Sequence, residues 1–191
     1  MATYNNEWLI QKYQSGAAID FFFFWGHKPN KDGSIGKTCL SQWWQAAFTV
    51  DKVTYKTAEH WMMAQKARMF TDNEMLVQII QSETPGAAKK LGRGIKNFDP
   101  AVWDEHRSDI VVTGNYHKFS QHPALRNFLF STKDSILVEA SPVDSIWGIG
   151  LAANDVAAQN PLQWQGLNLL GYALMAVRDK LKEQIHSNTP Q

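Results

Sequence analysis

The sequence predicts an α-rich α+β fold in a single compact domain, with about six to eight helices and a few short strands. At 191 residues the chain is long enough to bury a core and short for two domains. Helix start signals recur along the chain, whereas the runs typical of strands are few and short. No internal repeat or linker divides it, so the domain is predicted to span 1–191, with a core of about 19–185.

The first third of the chain mixes short strands with turns. A helix, a buried apolar strand, a polar turn-rich loop and a hairpin are predicted in order at 4–14, 19–25, 26–37 and 43–55. The hairpin leads directly into a helix over about 58–70, for which Thr57 is a good N-cap. This helix carries an acid, an imidazole and cations on an otherwise apolar body, which is unusual for a plain core helix.

Helices dominate the rest of the chain. Capping residues and first-turn prolines predict four helix starts, at Asp72, Thr84-Pro85, Asp99-Pro100 and Pro123. After Gly114 the third of these helices either continues or restarts. The β-branched run within 135–140 predicts a strand. A long helix over about 168–185 closes the fold, with an apolar stripe from which Arg178 departs.

The helix over 58–70 is the first candidate for a site. Helical spacing puts Glu59 and Lys66 on one side, about 10 Å apart, which leaves room for a small polar ligand group. The structural alternatives are that Glu59 complements the helix dipole and that Lys66 is simply solvated. His60 lies beside Glu59 in the same turn.

The second candidate is the stretch 139–150, which leaves a strand, turns at Ser-Pro and exposes Asp144 ahead of Trp147, Gly148 and Gly150. The glycines allow a ligand to approach the main chain, and the tryptophan offers a stacking face. The alternative is an aspartate that caps a turn above a tryptophan of the core.

Three cations and one further tryptophan are weaker candidates. Arg93 lies in a short glycine-rich segment, 92–96, that is suited to a phosphate, although helix termination explains its glycines equally well. Lys118 and Arg178 are suited to an anion, with solvated surface as the alternative. Trp43 is a candidate stacking residue.

Composition excludes several classes of function. The net charge of +1 gives no strong grip on a nucleic-acid backbone, and no DNA-recognition motif is present. The histidines form no metal-binding pattern, and Cys39 has no context typical of a nucleophile, so neither a metal nor a cofactor is predicted. A single cysteine and the absence of a membrane-length apolar run predict a soluble, cytoplasmic protein without a membrane partner.

Taken together, these motifs resemble the NADAR family, also called YbiA-like. The resemblance covers about 21–181 and rests on six ordered segments: Ser41-Gln42-Trp43, Tyr55 to His60, Met63 to Ala67, Lys118-Phe119, Glu139 to Gly150, and Asn168 to Arg178. It implies a single α-rich domain that hydrolyses N-glycosidic bonds. Members are described as cleaving phosphoribosylamino-pyrimidine intermediates of riboflavin synthesis or as removing ADP-ribose from guanine.

A mechanism for this bond needs groups that stabilise positive charge on the sugar. Glu59 and Asp144 are assigned to the two carboxylate duties, with the division between them left open. Alternatively, Lys66 attacks C1 of the opened sugar and forms an imine. The predicted substrate-binding residues are Trp43, His60, Arg93, Lys118, Trp147, Gly148 and Arg178.

The predicted partner is a small phosphorylated ribosyl or ADP-ribosyl compound, and an ADP-ribosylated nucleic acid is a further candidate substrate. The alternative function is a non-catalytic module that binds ADP-ribose or a related nucleotide in the same pocket. Only hydrolysis predicts release of a free base. The sequence leaves the oligomeric state open.

Overall fold

The computed structural model describes residues 4–187, apart from the side chain of His186. Its α-helices are α1 Asn6–Gln14, α2 Ala58–Met69, α3 Asn73–Gln81, α4 Pro85–Gly92, α5 Pro100–Gln121, α6 Pro123–Ser131 and α7 Leu169–Ser187. Its strands are β1 Phe21–Phe24, β2 Phe48–Val50, β3 Val53–Tyr55 and β4 Ile136–Glu139. Short 3₁₀ turns lie at Lys37–Leu40, Val156–Gln159 and Pro161–Gln163. The ends of the predicted domain, 1–3 and 188–191, lie outside the described residues.

These elements confirm the predicted α-rich α+β class. In the described part, α2 to α6 begin at the predicted capping residues or first-turn prolines, and α1 and α7 lie within one or two residues of their predicted ranges. Helix α5 runs through Gly114 without a break. The largest difference from the predicted boundaries lies in the hairpin. The first strand of the hairpin begins only at Phe48, because the chain before it follows a 3₁₀ turn and irregular turns.

The fold comprises two compact units. The central unit is Gln42–Pro123, and the terminal unit combines the segments up to Ser41 and from Ala124 onward. In the described part of the chain, no helix is both long and apolar enough to cross a membrane.

The terminal unit is built on a parallel pair of strands covered by α7. Phe21 of β1 aligns with Ile136 of β4, and α7 packs against β4. Asn168, just before α7, has a positive φ of 51°. Its side chain donates to the Leu137 carbonyl at 2.9 Å and accepts from the Glu139 N–H at 3.0 Å. The start of α7 is therefore bonded directly to β4.

The central unit is organised around α2, which packs against α3, α4 and α5. Two glycines allow this close packing, since a Cβ on Gly92 would overlap Met63 and one on Gly114 would overlap Trp61. The Trp61 indole N–H donates to the Ile110 carbonyl at 2.8 Å, which adds a polar link between α2 and α5. Helix α2 is consequently buried around most of its first three turns.

Candidate functional site

Glu59 lies in the first turn of α2 and is almost fully buried, with 2% of its surface exposed. The Thr57 hydroxyl caps the helix by accepting from the His60 N–H at 3.4 Å. The Glu59 N–H donates to the Gln42 carbonyl at 3.0 Å. This bond fixes the backbone of Glu59 against the segment that precedes the hairpin.

Glu59 belongs to a group of buried polar residues, which we call the α2–α5 polar cluster: Gln42, Glu59, Asn115 and Lys118. The Asn115 amide donates to the Gln42 side-chain oxygen at 2.7 Å and to the Val111 carbonyl at 2.9 Å. Lys118, one turn further along α5, is completely buried. Buried acids and cations carry a large desolvation cost, and such groups are concentrated at functional sites.

His60 has a structural position in the central unit. It is fully buried, and its ring nitrogens bond to the Thr57 hydroxyl at 2.8 Å and the Ser82 carbonyl at 3.2 Å. Because a carbonyl only accepts, Nε2 carries the proton and Nδ1 accepts from Thr57. Burial lowers the pKa of His60 and so favours the neutral ring. These contacts tie α2 to the end of α3 and favour a structural role over substrate binding.

Lys66 lies two turns beyond Glu59 on α2, and it is half-buried. Its ammonium donates to the Gly92 carbonyl at 3.0 Å and lies 3.9 Å from the centre of the Phe98 ring and 5.6 Å from that of Trp103. Burial lowers the pKa of Lys66. A lysine with a lowered pKa is a better nucleophile, because more of its amine is neutral near physiological pH.

The other two predicted site residues of the central unit lie near α4. The half-buried Trp43 ring lies against Gly86 in the first turn of α4, and the Lys89 ammonium lies 5.9 Å from its centre. Arg93 is the exposed C-cap residue of α4. Both therefore border α4, Trp43 at its beginning and Arg93 at its end.

Asp144 organises the loop that follows β4. Its Oδ1 accepts from the backbone N–H groups of Ile146 and Trp147 at 2.9 and 2.8 Å. The turn-capping interpretation is therefore confirmed for this one oxygen. Since Asp144 is only partly buried, its second oxygen, Oδ2, remains suitable for a catalytic or binding role.

The loop from Asp144 to Gly150 is held firmly against the start of α7. Carbonyls of 145–149 accept from the backbone N–H groups of Gln165 and of 167–170. A Cβ on Gly148 would lie 2.7 Å from the Glu139 carbonyl, and Gly150 has a φ of 70°, so both positions require glycine. Trp147, half-buried, is thus presented from a rigid loop, as a preorganised site requires.

Arg178 faces the interior of the terminal unit rather than leaving the apolar stripe of α7. Only 3% of its surface is exposed, and its NH1 donates to the Thr132 hydroxyl at 2.8 Å and the Ser135 carbonyl at 3.0 Å. The sequence prediction of a phosphate ligand treated it as accessible. These contacts favour a structural role, in which the guanidinium holds the turn between α6 and β4.

The structure thus links Glu59 to two residues that the sequence prediction omitted, Gln42 and Asn115, and places Lys118 one turn beyond Asn115 on α5. Gln42 lies in one of the motifs on which the resemblance rests. Asn115 shares a helix face with Val111 and Lys118, which was a usable signal for a buried amide. The catalytic and binding roles assigned from sequence stay predictions.

Comparison with known proteins identifies the relatives of this chain. The sequence model of the NADAR domain matches residues 23–182. N-glycosidase R617 of Acanthamoeba polyphaga mimivirus is 39% identical over 165 residues, which cover 84% of this chain and 95% of that protein. The riboflavin biosynthesis protein PYRR of Zea mays is 33% identical over 139 residues, covering 69% of this chain but 20% of that longer protein.

N-glycosidase YbiA of Escherichia coli is similar in both sequence and structure. It is 31% identical over 132 residues, which cover 69% of this chain and 74% of YbiA. The NMR structure of YbiA superposes with a TM-score of 0.71 and 25% identity, and the match covers 90% of each chain. These findings confirm the resemblance and the predicted YbiA-like fold.

Proposed function

The chain belongs to the NADAR domain family, and from this membership we propose that it hydrolyses the bond between C1 of a ribose and a base nitrogen. N-glycosidase activity is what the names of its relatives share. The proposed substrate carries a ribose phosphate or an ADP-ribose. The base is a riboflavin-pathway pyrimidine, as the relationship to PYRR suggests, or guanine.

The observation that carries the proposal is the burial of Glu59 in the first turn of α2, within the α2–α5 polar cluster. Breaking the C1–N bond leaves positive charge on the sugar. A carboxylate that is shielded from water stabilises such charge far better than one in bulk solvent. We assign Glu59 to C1, where it stabilises the cation or activates the attacking water.

Asp144 is assigned to the second duty. Its Oδ1 is occupied by two backbone N–H groups, so Oδ2 is the oxygen that binds a ribose hydroxyl or handles the proton of the departing base. In the overall reaction, water supplies a hydroxyl to C1 and a proton to the base nitrogen. Both carboxylates are unchanged at the end of the cycle.

Lys66 offers a second route to the same products. Its amine attacks C1 of the ring-opened sugar, the base leaves, and water then hydrolyses the imine. The lowered pKa of Lys66 supports this route, whereas its bond to Gly92 and its contact with Phe98 also suit a structural cation. Borohydride reduces an imine to a stable adduct. It would therefore trap substrate on the wild type, but not on Lys66→Ala, only if this route operates.

The remaining residues predicted from the sequence are assigned to stacking, to phosphate binding or to support. Trp147 and Trp43 are assigned to stacking on the base or the sugar, with Gly148 allowing close approach to the main chain. Arg93 and Lys118 are assigned to phosphate. His60 and Arg178 are assigned to support, because both ring nitrogens of His60 and NH1 of Arg178 bond to neighbouring backbone and side chains.

The test is release of a free base. The protein is incubated with the phosphoribosylamino-pyrimidine and, separately, with ADP-ribosylated guanine, and the products are separated by chromatography. We expect the wild type to release base from at least one, and Glu59→Gln and Asp144→Asn each to lower kcat at least about 100-fold. Binding without release would indicate the nucleotide-binding module instead.

Glu105→Gln is a matched control, because Glu105 is an exposed acid on α5. It should leave kcat unchanged. Near-full kcat in both Glu59→Gln and Asp144→Asn, with folding intact, would refute the carboxylate mechanism.

A further inference from the structure

Two buried amide atoms of the central unit have no hydrogen-bond partner within the described residues. They are Nε2 of Gln42, a donor, and Oδ1 of Asn115, an acceptor. Gln42 is 6% exposed and Asn115 is fully buried. Buried polar atoms of this kind are rare, and each lost hydrogen bond costs about 1 to 3 kcal/mol.

The orientation of both amides is determined by their surroundings. Asn115 Nδ2 donates to the Val111 carbonyl, which can only accept, so its oxygen must point the other way. The same Nδ2 donates to Gln42 Oε1 at 2.7 Å, which leaves Gln42 Nε2 on the outer side. Turning the Asn115 amide over would set its oxygen against Gln42 Oε1 and the Val111 carbonyl, and turning the Gln42 amide over would set its nitrogen against Asn115 Nδ2. The pair therefore presents one donor and one acceptor in a defined order.

We propose that Gln42 and Asn115 recognise the lactam edge of the base, its C=O and the adjacent ring N–H; this inference rests on the proposed function. The Gln42 N–H donates to the carbonyl of the base, and Asn115 Oδ1 accepts from its ring N–H. Each of the two orphaned atoms thereby gains its hydrogen bond, and the Oε1–Nδ2 bond between the two side chains is kept.

The proposed substrates support this assignment. Guanine and the pyrimidinone intermediates of riboflavin synthesis differ in ring number, yet both carry a C=O next to a ring N–H. Adenine presents the reverse order, with a donor amino group beside an acceptor nitrogen. A fixed donor–acceptor pair therefore accepts both proposed bases and rejects adenine.

Gln42 also connects this pair to the proposed chemistry, because its carbonyl accepts from the Glu59 N–H. The side chain of Gln42 then binds the base while its backbone carbonyl holds the backbone of Glu59 in place. Both orphaned atoms are shielded from bulk solvent by the described residues. Entry of the base requires the packing over the pair to open locally.

The experiment compares guanosine with O6-methylguanosine, in which the ring N–H is lost and the carbonyl is blocked. Binding to the wild type, Gln42→Met and Asn115→Leu is measured by calorimetry. We expect the wild type to prefer guanosine at least about 100-fold, because a site built for hydrogen bonds rejects analogues that lack them. Each variant should reduce that preference to within about 10-fold.

Gln121→Met is the matched control. Gln121 lies on the same helix, and both of its amide atoms already bond to Thr49, so the change should leave the preference as in the wild type. Thermal unfolding of each variant shows that it is folded at the temperature of the binding measurement.

An unchanged preference for guanosine in the folded variants would overturn the proposal. So would a wild type that binds both compounds equally well. If the variants instead kept the preference for guanosine over O6-methylguanosine but lost a preference for guanosine over 2-deoxyguanosine, the pair would bind the sugar and not the base. Because this readout is binding, a wild type that prefers guanosine but releases no base contradicts the proposed hydrolysis and leaves this inference standing.

Discussion

Lys66 Nζ donates a 3.0 Å hydrogen bond to the carbonyl of Gly92, which joins the third turn of α2 to the end of α4. The aromatic faces of Phe98 and Trp103 lie on the same ammonium. Burial among these groups lowers the pKa of Lys66 by making the charged form costly. This one amine therefore combines a helix-linking contact with the property that an imine-forming lysine needs.

We predict that Lys66 titrates below the ordinary lysine value of about 10.4. The measurement is an NMR titration of the lysine side chains in the folded protein, with Lys66→Arg to assign the signal. Phe98→Leu serves as the comparison, since it opens the cover over the ammonium and should raise the pKa towards the ordinary value. A Lys66 signal that already titrates at that value in the wild type would contradict the prediction.

Asp144 should separate loop stability from activity. Asp144→Asn keeps the Oδ1 that accepts from Ile146 and Trp147, so the free energy of unfolding should change little while kcat falls at least about 100-fold. Asp144→Ala removes the acceptor as well, and should additionally lower the free energy of unfolding by about 1 to 2 kcal/mol. Urea unfolding and steady-state kinetics on the same preparations measure both quantities.

Equal losses of stability in the two Asp144 variants would show that its charge, and not its acceptor oxygen, holds the loop. Asp134→Asn is the matched control and should leave both the free energy of unfolding and kcat unchanged. Asp134 is an almost fully exposed acid of the same unit, paired with Lys182 at 3.5 Å, and exposed pairs of this kind contribute little.

Arg93 and Arg178 should respond in opposite ways. Arg178→Lys loses the planar donors that bond to Thr132 and Ser135, so the free energy of unfolding should fall by about 1 to 3 kcal/mol with KM unchanged. Arg93→Gln changes an exposed side chain and should raise KM for a phosphorylated substrate without affecting stability. A raised KM in Arg178→Lys, measured well below its melting temperature, would restore Arg178 to the phosphate site.

The contrast between these arginines shows what the sequence can predict. Element positions depend on local signals such as the Thr57 cap, and those predictions were confirmed. Burial of Arg178 depends on Thr132 and Ser135, which lie 46 and 43 residues away. The helical period itself puts position 178 on the buried face, four residues after Leu174 and three before Leu181. The charge of the arginine led to the prediction that it leaves this face, and only its partners explain how that charge is buried.

The polar cluster makes the same point for the candidate site. Gln42 and Asn115 are 73 residues apart, and their bond exists only once the segment before the hairpin packs beside α5. Glu59 and Lys118 were predicted because charged residues on apolar helices are conspicuous. A neutral amide is a weaker signal than a charge. The helix face of Asn115 indicates only that this amide is buried, and its importance becomes visible when its hydrogen bonds are counted.

His60 makes stability depend on pH. Its pKa is lowered in the folded protein, chiefly by burial, so below the ordinary value of about 6.5 the unfolded chain binds a proton that the folded chain does not. The free energy of unfolding should therefore decrease as the pH falls through 6.5 and below. His60→Gln, whose amide still donates to the Ser82 carbonyl, should make this dependence shallower.

His106→Gln is the matched control for that experiment, because His106 is an exposed histidine on α5. Urea unfolding is measured for the three proteins from pH 7.5 to 5.5, and only His60→Gln should differ in slope from the wild type. An identical slope would mean that His60 is protonated in the folded state. In a charged ring both nitrogens donate, so Nε2 would donate to the Ser82 carbonyl and Nδ1 to the Thr57 hydroxyl. The hydrogen of the Thr57 hydroxyl would then point away from His60.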